Sequence, residues 1–271
     1  MKTILIFGYG SWAKKIIRYL KASKNFKEIY VKTSFKFFTI YPQKKNINLS
    51  LFEIYLKKLD IIHICVPTEK HFKIIKINKL YDKKLIVEKP LVKKINELRN
   101  IKHYFKKNKL IVNYIDLYNP NLLNIKNDLQ KIINIDFYYG NKKQYNNKYE
   151  CLNEWLDHPL SIVLFLFKRF SKFKVISFKV RGEKGKYFEQ LKLNYKFRNK
   201  NINIMLNTNY PKSQRSIDVT NNIKVIKYKF NQVKRKNEFL KGNNLKFLYK
   251  DINKKETKFY QKYDFHKNLF L

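Results

Sequence analysis

The segment TILIFGYGSWA, residues 3–13, carries the strongest fold signal in the chain. It begins with a short apolar run typical of a buried strand, and GYGSWA then fits the pattern G-x-G-x-x-A. In that pattern the first glycine permits a tight turn, the second lets the backbone approach a pyrophosphate, and the small third residue lets a helix pack on the strand. Apolar residues at 13, 16, 17 and 20 have the spacing of the helix that must follow. We therefore predict a dinucleotide site formed by Gly8, Tyr9, Gly10, Ser11, Trp12 and Ala13.

Strand-like and helical patterns alternate through the first half of the chain. Further apolar runs of strand length lie at 28–32, 35–41, 60–66, 84–89 and 109–115. Helical patterns separate most of them, at 50–58, 69–80 and 91–105. Such alternation is typical of a parallel sheet covered by helices on both faces. We predict an α/β fold whose first domain, residues 1–116, is a doubly wound Rossmann domain.

The pattern changes in the second half of the chain. Helices are predicted at 119–131 and 158–169, and the apolar period then becomes two, as in LKLNYKFR at 191–198. Similar short patterns lie at 176–180, 202–207, 223–230 and 245–250. Alternation of this kind indicates strands with one buried and one polar face. We therefore predict a second domain, residues 117–271, of α+β type with an open, mainly antiparallel sheet.

The end of the second predicted strand bears on the choice of cofactor. An acidic residue is usual there, because it binds the ribose hydroxyls. This chain has Lys32, Thr33 and Ser34 instead. A lysine and a hydroxyl suit a 2′-phosphate better than a free 2′-hydroxyl, so we predict NADP in preference to NAD. Because lysine is frequent throughout the chain, a chance lysine at position 32 is the alternative.

The chain is strongly basic, with 60 Lys and Arg against 20 Asp and Glu and a net charge of +40. Such a charge attracts nucleic acid, nucleotides and phosphorylated substrates. The lysines are spread along the whole chain together with many Asn, Ile, Tyr and Phe residues, all encoded by A- and T-rich codons, so a genomic bias is the main explanation. The sequence contains no helix-turn-helix, zinc or RNA-recognition signature that could read bases. We therefore expect no specific nucleic-acid partner.

Cysteine usage and hydropathy indicate where the protein works. Cys65 and Cys151 form neither a disulfide framework nor a zinc spacing, so we expect a reducing compartment and no metal. The longest apolar run, LSIVLFLF at 160–167, is far shorter than the roughly 20 residues of a membrane span. We therefore expect a cytoplasmic protein with no membrane span.

Two further motifs lie at the carboxyl edge of the predicted sheet, where ligands of open α/β sheets bind. CVPTEKH, residues 65–71, ends one predicted strand, and IVEKPL, residues 86–91, ends the next. Together with GYGSWA, the motifs VPTEKH and VEKPL resemble those of the Gfo/Idh/MocA oxidoreductase family. The resemblance covers the first domain. It implies NAD(P)-dependent hydride transfer on a sugar, an inositol or a nucleotide sugar, and a second domain with an open, mainly antiparallel sheet.

The resemblance also implies roles for residues of the first domain. Lys89 would lie beside the nicotinamide, where a partly desolvated lysine can hydrogen-bond a reacting hydroxyl. Glu88 would help to fix the charge and geometry of the site, and Asn113 and Tyr114 would lie near the nicotinamide rim. The remaining residues expected to bind the cofactor are Val66, Pro67, Thr68 and His71, although His71 fits a surface helix equally well.

In this family an acid and a histidine begin a helix of the second domain, often as D-x-x-x-H. The counterpart here is ECLNEWLDHPLSIVLFL, in which His158 would take the hydroxyl proton during hydride transfer. Glu154 stands at the aspartate position, and Asp157 is an adjacent substitute that could orient the substrate. Capping of the helix is the alternative role for Asp157.

Other functions fit parts of the same pattern. A catalytically decayed NAD(P)-binding regulator or scaffold would keep the glycine turn and lose the acid and base, and Glu154 in place of aspartate favours it. A basic nucleic-acid-binding protein would use the net charge alone. The main hypothesis is an enzyme that acts on a small molecule, a sugar or nucleotide sugar, and forms a homo-oligomer through the sheet of its second domain.

Overall fold

The structure of the protein is a computed structural model, and the chain divides into two compact units. The first unit comprises residues 1–114 together with the segment from Leu248 onward, and the second comprises 115–247. The residues that the structure describes are 1–78, 83–106, 110–146, 148, 150–168, 173–183, 185–230, 232–235, 238–241 and 248–249. The predicted boundary after residue 116 lies close to this division, and Tyr249 is grouped with the first unit.

A parallel sheet with an antiparallel edge forms the first unit. Its strands are β1 (Lys2–Phe7), β2 (Phe26–Lys32), β3 (Phe37–Tyr41), β4 (Lys45–Ile47), β5 (Ile61–Ile64), β6 (Lys84–Glu88) and β7 (Leu110–Asn113). Within the described residues their order across the sheet is β4-β3-β2-β1-β5-β6-β7. Strands β2, β1, β5, β6 and β7 are mutually parallel, whereas β3 and β4 run antiparallel to their neighbours. The order reverses beside β1, which is the switch point where such sheets bind ligands.

Helices connect the strands of this first sheet. They are α1 (Ser11–Ser23), α2 (Phe52–Lys58), α3 (His71–Asn78), α4 (Ile95–Asn100) and α5 (Lys102–Lys106). The central strands are buried on both faces; for example, Ile4, Leu5 and Ile6 of β1 are all 0% exposed. Helix α1 adds the apolar face predicted from its spacing, since Ala13, Ile16, Ile17 and Leu20 are its buried residues. The predicted Rossmann architecture is therefore confirmed.

A mainly antiparallel sheet forms the second unit. Its strands are β8 (Ile132–Lys142), β9 (Lys174–Arg181), β10 (Phe188–Phe197), β11 (Lys200–Asn207), β12 (Asn209–Asn221) and β13 (Val225–Lys229). In the described part of the unit their order is β13-β12-β8-β11-β10-β9, and β8 with β11 is a parallel pair. Strands β14 (Gln232–Arg235) and β15 (Glu238–Lys241) form a separate hairpin. The predicted class of this sheet is confirmed.

The second unit also contains helices. They are α6 (Asn121–Asn127), α7 (Glu150–Trp155) and α8 (Asp157–Phe167), of which α7 lies against β8 and β11. Helix α8 is apolar nearly all round, and its residues from Ile162 to Phe167 are buried. The facing strand positions, such as Phe137, Ile204 and Ile217, are 0% exposed. Across the described residues, no helix combines the length and apolarity needed to cross a bilayer.

The structure differs from the predicted elements in several places. Strands β8 and β12 lie at the centre of the second sheet and were not predicted. The segment predicted as a strand at 245–250 is helical at Leu248 and Tyr249, and its other residues lie outside the described part of the chain. The antiparallel edge strands β3 and β4 also depart from the purely parallel sheet expected of the first domain.

Candidate active site

The glycine turn between β1 and α1 has the conformation that its sequence predicts. Gly8 has φ +103°, in the left-handed region, and a Cβ placed on it would lie 2.5 Å from the carbonyl oxygen of Cys65. The Gly8 amide donates to the carbonyl of Lys32 at 2.9 Å, and the Cys65 amide donates to Phe7 at 2.8 Å. The turn is therefore fastened to the ends of β2 and β5, and a larger residue at position 8 would be both strained and crowded.

The beginning of α1 can hold a pyrophosphate. Gly10 is the N-cap of this 13-residue helix, and a Cβ placed on it would have no heavy atom within 4 Å. The side of the turn at Gly10 is therefore open, and the first amides of α1 have no partner within the helix. Amides at a helix N-terminus bind phosphate through their hydrogens and through the helix dipole. Tyr9 and Ser11 are exposed on either side of Gly10, and Ala13 is buried against the sheet, as the pattern requires.

The residues predicted to bind the 2′-phosphate lie at the end of β2. Lys32 is the last residue of that strand; its ammonium group donates to the Thr33 carbonyl and lies 5.7 Å from the centre of the Phe52 ring. Burial lowers the pKa of Lys32. The Thr33 hydroxyl accepts from the Lys36 amide at 2.9 Å, which fixes the turn, and Ser34 is exposed. The structure thus groups one ammonium and two hydroxyls at this corner.

The motif CVPTEKH follows β5 directly. Val66 is half-buried and borders the glycine turn, since its Cγ1 atom would be 3.4 Å from a Cβ on Gly8. Pro67 is exposed, and Thr68 begins a short 3-10 turn ahead of α3. These residues therefore follow the carboxyl end of a strand adjacent to β1, as predicted.

His71 is a buried clamp between two loops. It is 1% exposed, and its Nε2 atom lies 2.8 Å from the Val66 carbonyl. Its Nδ1 atom lies 3.1 Å from the carbonyls of both Pro90 and Leu91. The ring therefore ties the loop after β5 to the EKPL segment. The predicted contact of His71 with the cofactor stays a prediction. Its position between these carbonyls indicates that it holds the two loops together.

A hydrogen-bond network holds Glu88 at the end of β6. Glu88 Oε1 lies 2.9 Å from His63 Nε2 and accepts from Asn113 Nδ2 at 2.7 Å. The other ring nitrogen of His63 lies 2.6 Å from Tyr249 Oη. An ionised Glu88 can only accept, so these partners assign the proton to His63 Nε2 and make Tyr249 the donor to Nδ1. Asn113 is 1% exposed, and its Oδ1 atom has no hydrogen-bond partner among the described residues, which leaves an acceptor for a bound group.

Three side chains in this region could also bind a metal ion. The ligand atoms of His63, Cys65 and Glu88 lie within 4.8 Å of one another, although no metal was expected from the sequence. Burial and the nearby Glu88 carboxylate raise the pKa of Cys65 well above its ordinary value. A metal would have to displace the proton shared by His63 and Glu88, so the existing hydrogen bonds satisfy this cluster without one.

Lys89 lies immediately beyond β6. It is half-buried, and the bond from Lys89 to Pro90 is a cis peptide. Its neighbours on both sides are fixed, Glu88 by the network of His63 and Asn113 and Pro90 by the His71 clamp. The backbone that carries Lys89 is therefore held from both ends.

The second unit contains a buried cluster of charged groups around Asp116. This residue lies in a 3-10 turn, Ile115–Tyr118, and its side chain is 1% exposed. Its Oδ1 atom accepts from Arg215 Nη2 at 2.7 Å, and its Oδ2 atom lies 2.9 Å from His158 Nδ1. The Tyr139 hydroxyl donates to the same Oδ2 at 3.1 Å. The His158 ring stacks on that of Tyr139 with 5.7 Å between centroids.

Electrostatics within this cluster keep the carboxylate charged. Burial alone would raise the pKa of Asp116, but the charges of Arg215 and His158 outweigh it and hold that pKa below its ordinary value. Burial would lower the pKa of Arg215, and Asp116 reverses the effect. Burial and the same carboxylate raise the pKa of Tyr139. The Asp116 carboxylate and the Arg215 guanidinium, 2.9 and 3.2 Å from Nδ1, orient the imidazole.

The structure places the two acids predicted beside His158 at different positions. Glu154 Oε2 lies 2.9 Å from Lys143 Nζ and accepts from the Tyr145 hydroxyl at 2.8 Å. Asp157 is the first residue of α8, where a negative charge suits the helix dipole. The carboxylate that the structure places on His158 Nδ1 is that of Asp116, which was not predicted.

A cavity of about 710 Å³ adjoins the Asp116 cluster. All of its lining residues belong to the second unit. They are Ile115, Asp116, Pro211, Lys212, Ser213, Gln214, Arg215, Ser216, Lys227, Lys229 and Phe230. Its size is typical of sites for small organic ligands. Asp116 and Arg215, which both lie within 3.2 Å of His158 Nδ1, therefore form part of the wall of a ligand-sized cavity.

Sequence analysis missed Asp116, Arg215, Tyr139, His63 and Tyr249. One signal for Asp116 was present, since NYIDLYNP places an acid directly after the last parallel strand in a chain with only 20 acids. Arg215 and Tyr139 are neighbours only through the pairing of β12 with β8. Tyr249 and His63 are separated by 186 residues along the chain. Contacts of that kind leave no local pattern in the sequence.

The fold and these groups define a class of two-unit proteins with a dinucleotide-binding Rossmann unit. Residues 2–115 match the model of the oxidoreductase family with an NAD-binding Rossmann fold, GFO_IDH_MocA. The matched segment contains the three motifs that resemble this family, and it spans less than half of the chain. No curated protein sequence is significantly similar to the chain.

Solved structures of oxidoreductases share the fold of both units. A dehydrogenase (MviM) from Clostridium difficile is 21% identical with TM-score 0.69, and the match covers 91% of this chain and 86% of that one. UDP-N-acetylglucosamine 3-dehydrogenase GnnA from Acidithiobacillus ferrooxidans is 10% identical with TM-score 0.72 over 99% and 94%. A candidate NADPH-dependent oxidoreductase from Desulfitobacterium hafniense is 15% identical with TM-score 0.71 over 99% and 92%. At these identities the similarity establishes the fold.

Proposed function

We propose that the protein is an NAD(P)-dependent oxidoreductase that transfers a hydride between nicotinamide and a hydroxyl or keto group of a sugar or nucleotide sugar. The observation that carries the proposal is the pair formed by His158 and the buried Asp116, 2.9 Å apart. An oriented imidazole is the general base that oxidation of a hydroxyl needs. The fold of the first unit supports the cofactor class.

In the proposed oxidation, two bonds break and one forms on the substrate. With the cofactor bound, the hydroxyl proton would pass to Nε2 of His158 and the hydride of the carbon–hydrogen bond would go to the nicotinamide, so that a carbonyl group would form. Asp116 stabilises the imidazolium that results, because its charge lies against Nδ1. In the reverse direction the same imidazolium returns the proton.

Lys89 is proposed to polarise the reacting oxygen. An ammonium group hydrogen-bonded to that oxygen stabilises the negative charge that develops on it. The anchored Glu88 and the His71 clamp fix the backbone of Lys89, so its position can be reproduced from one turnover to the next. Asp157 and Glu154 are proposed to orient the substrate at the beginning of α8.

The cofactor fits the residues of the first unit. We propose that the α1 amides beside Gly10 hold its pyrophosphate and that Val66, Pro67, Thr68 and Asn113 contact its nicotinamide half. Lys32, Thr33 and Ser34 would bind a 2′-phosphate, which favours NADP. When bound, the cofactor supplies the hydride acceptor or donor that the side chains of the chain cannot provide.

A second candidate function is a catalytically decayed NAD(P)-binding regulator. The observation that favours it is the contact of Glu154 with Lys143 and Tyr145. Glu154 stands at the family's aspartate position, and these contacts hold its carboxylate in a structural role. We further propose a cytoplasmic homo-oligomer assembled through the second-unit sheet, and the free thiol of Cys65 is consistent with a reducing compartment.

The experiment that tests the function combines cofactor titration with turnover. NADPH and NADH are titrated by fluorescence at low and moderate salt, and turnover is then measured on a panel of sugars and nucleotide sugars. Lys89→Ala and His158→Gln variants should bind NADPH as the parent protein does and lose turnover by at least about 100-fold. Unchanged turnover in both variants would refute the assigned roles.

If the parent protein binds NADPH but turns over none of the sugars or nucleotide sugars, the regulator would be supported instead. NADPH binding that vanishes at moderate salt would mean that the net charge attracts the nucleotide without a specific site.

A further inference from the structure

Arg215, in the cluster around Asp116, uses only part of its hydrogen-bonding capacity. It donates to Asp116 Oδ1 at 2.7 Å and lies 3.2 Å from His158 Nδ1, and its Nη2 atom makes both contacts. Its Nε atom is buried and has no hydrogen-bond partner among the described residues. A guanidinium carries donors on all of its nitrogens and no acceptor. Arg215 can therefore still donate to an acceptor that a ligand brings.

Arg215 shares one face of the second sheet with the surroundings of the proposed base. Arg215 of β12 lies opposite Tyr139 of β8, so their side chains project from the same face. The Tyr139 ring stacks on that of His158 with 5.7 Å between centroids. Arg215 also lines the cavity of about 710 Å³, and 29% of its side chain is exposed. A ligand in this cavity can therefore contact the guanidinium close to His158.

The guanidinium is held in place within the described part of the second unit. Its Cζ atom lies 6.0 Å from the centre of the Trp155 ring, within the range of cation–π attraction. The carboxylate of Asp116, whose side chain is 1% exposed, fixes its Nη2 atom. A side chain that is already ordered loses little conformational entropy when it binds a ligand. Arg215 is therefore preorganised to receive an acceptor.

Charge determines the kind of acceptor that fits. Lys227 and Lys229 line the cavity together with Arg215, and Asp116 is the single acid among its described lining residues. Alternation along β12 and β13 turns both lysines to the opposite face of the sheet from Arg215. The two lysines therefore contribute to the electrostatic field of the cavity without contacting a group bound at Arg215. This field favours an anion, and Arg215 is the cation that lies beside the base.

A carboxylate is the anion best suited to this position. Arginine is the side chain that matches the planar geometry of a carboxylate. Arg215 Nη2 lies only 3.2 Å from His158 Nδ1, so an anion at Arg215 and a hydroxyl at His158 would belong to one small molecule. Sugar acids carry a carboxylate and several hydroxyl groups on one short carbon chain.

We propose that the substrate is a sugar acid and that Arg215 binds its carboxylate while His158 exchanges the proton of the reacting hydroxyl. Arg215 then bridges two carboxylates, that of Asp116 through Nη2 and that of the substrate through its remaining donors. The inference rests on the proposed oxidoreductase function, which it narrows from sugars in general to acidic ones. An aldonate and a uronate present the same carboxylate at opposite ends of the carbon chain, and the probes below distinguish them.

The test measures binding of matched acidic and neutral probes by calorimetry, with the full chain saturated with NADPH at moderate salt. Glucuronate is compared with glucuronamide, which has nearly the same shape and no charge, and gluconate is compared with sorbitol. At least one acid should bind roughly tenfold or more tightly than its neutral counterpart, because hydrogen bonds between charged groups are the strong ones. The acid with the larger preference shows whether the carboxylate is that of a uronate or of an aldonate.

Two results of this comparison would overturn the proposal. One is that neither acid binds more tightly than its neutral counterpart. The other is that glucose 6-phosphate binds more tightly than both acids, because the cavity would then recognise a phosphate. Neither result depends on a substitution, so the comparison remains decisive even if a variant of Arg215 fails to fold.

Arg215→Lys tests the residue itself. It keeps a positive charge beside Asp116 and removes the planar guanidinium. The preference for the acidic probe over its neutral counterpart should fall by at least about fivefold, and binding of the neutral probe should change by less than about twofold. Arg181→Lys makes the same substitution on β9, at the far edge of the sheet, and should leave the preference unchanged. Equal losses of affinity for acidic and neutral probes in Arg215→Lys would show a structural role alone and refute the proposal.

The sugar-acid inference and the proposed function fail in different ways. If the parent protein does not bind NADPH, the oxidoreductase function fails, and titration of the same probes without cofactor still shows whether Arg215 binds a carboxylate. If NADPH binds and neither acid is preferred, the sugar-acid inference fails and the oxidoreductase function stands.

Discussion

Replacing Asp116 by asparagine tests the cluster on which the proposed chemistry depends. The change keeps the shape of the side chain and removes the charge that Arg215 and His158 contact at 2.7 and 2.9 Å. Breaking a buried ion pair by removing one partner costs about 3–5 kcal/mol. Asp116 is 1% exposed, but the Arg215 side chain is 29% exposed and can recruit water. We therefore expect the second unit to lose about 2–4 kcal/mol of unfolding free energy.

The measurement requires a probe confined to the second unit, because a two-unit chain need not unfold in one step. The chain has two tryptophans, Trp12 in the first unit and Trp155 in the second. A Trp12→Phe background makes the fluorescence of Trp155 specific to the second unit. In that background, the difference between the urea midpoints of parent and variant gives the difference in unfolding free energy, provided that the dependence on urea (the m-value) is the same.

The matched control is Asp218→Asn, which removes an acid of the same unit, located in β12. Asp218 lies 3.5 Å from Lys227, whose side chain is 49% exposed. Pairs of that kind contribute at most about 1 kcal/mol, so this variant should unfold close to the parent midpoint. Equal midpoint shifts for the two variants would refute the reasoning that the Asp116 charge is the stabilising one.

The dependence on pH provides a second check with a definite sign. The pKa of Asp116 is lowered in the folded state, so its stabilising effect is complete above the ordinary carboxyl pKa of about 4. The effect is lost as the pH falls through the lowered folded value. The stability difference between the parent and Asp116→Asn should therefore shrink as the pH falls below about 4. A difference that grows below about pH 4 would contradict the assignment.

Two further substitutions test other parts of the fold. Tyr249→Phe should destabilise the first unit by about 1–3 kcal/mol, because it leaves the fully buried His63 without the donor to Nδ1. Urea unfolding followed by the fluorescence of Trp12 in a Trp155→Phe background measures this loss. An unchanged unfolding midpoint would contradict the hydrogen bond between Tyr249 and His63. Gly140→Ala should prevent stable folding of the second unit, since its Cβ would lie 1.8 Å from a carbonyl oxygen. A Cβ at Gly185 would meet open space, so Gly185→Ala should cost only about 1 kcal/mol. Thermal unfolding distinguishes the two variants, and similar unfolding midpoints would contradict the crowding at Gly140.

The order of elements in the first unit could be predicted because its signals are local. The turn at Gly8, the apolar strand runs and the helical spacing from Ala13 to Leu20 each occupy a few consecutive residues. The antiparallel direction of β3 and β4 was not predictable in the same way. A strand carries the same apolar pattern whichever way its neighbour runs, so the direction depends on how the connecting segments fold.

The second sheet could be predicted in class but not in its centre. Strands β10 and β11 alternate clearly, whereas β12 begins with the bulge at 210–213 and includes polar residues on both faces. Bulges interrupt the period of two that sequence patterns detect. The parallel pairing of β8 with β11 also joins segments that are distant along the chain.

The candidate site divides in the same manner. Lys89 and the glycine turn could be predicted because they stand in short motifs, and His158 because ECLNEWLDH resembles the family's D-x-x-x-H pattern at the start of a helix. Asp116 lies 42 positions before His158 and 99 before Arg215. Only the folded second unit brings its carboxylate to the imidazole, so an acid adjacent in sequence, Glu154, was the natural prediction.

The position of Tyr249 has a consequence for the order in which the protein can mature during synthesis. The first unit contains residues 1–114, yet the hydroxyl that satisfies buried His63 comes from a residue made about 135 positions later. At ordinary elongation rates of about 5–20 residues per second, this leaves a gap of roughly 7–27 s. During that interval the Rossmann unit exists on the ribosome with His63 lacking this partner, so Glu88, and with it Lys89, acquires its full support only after Tyr249 has been made.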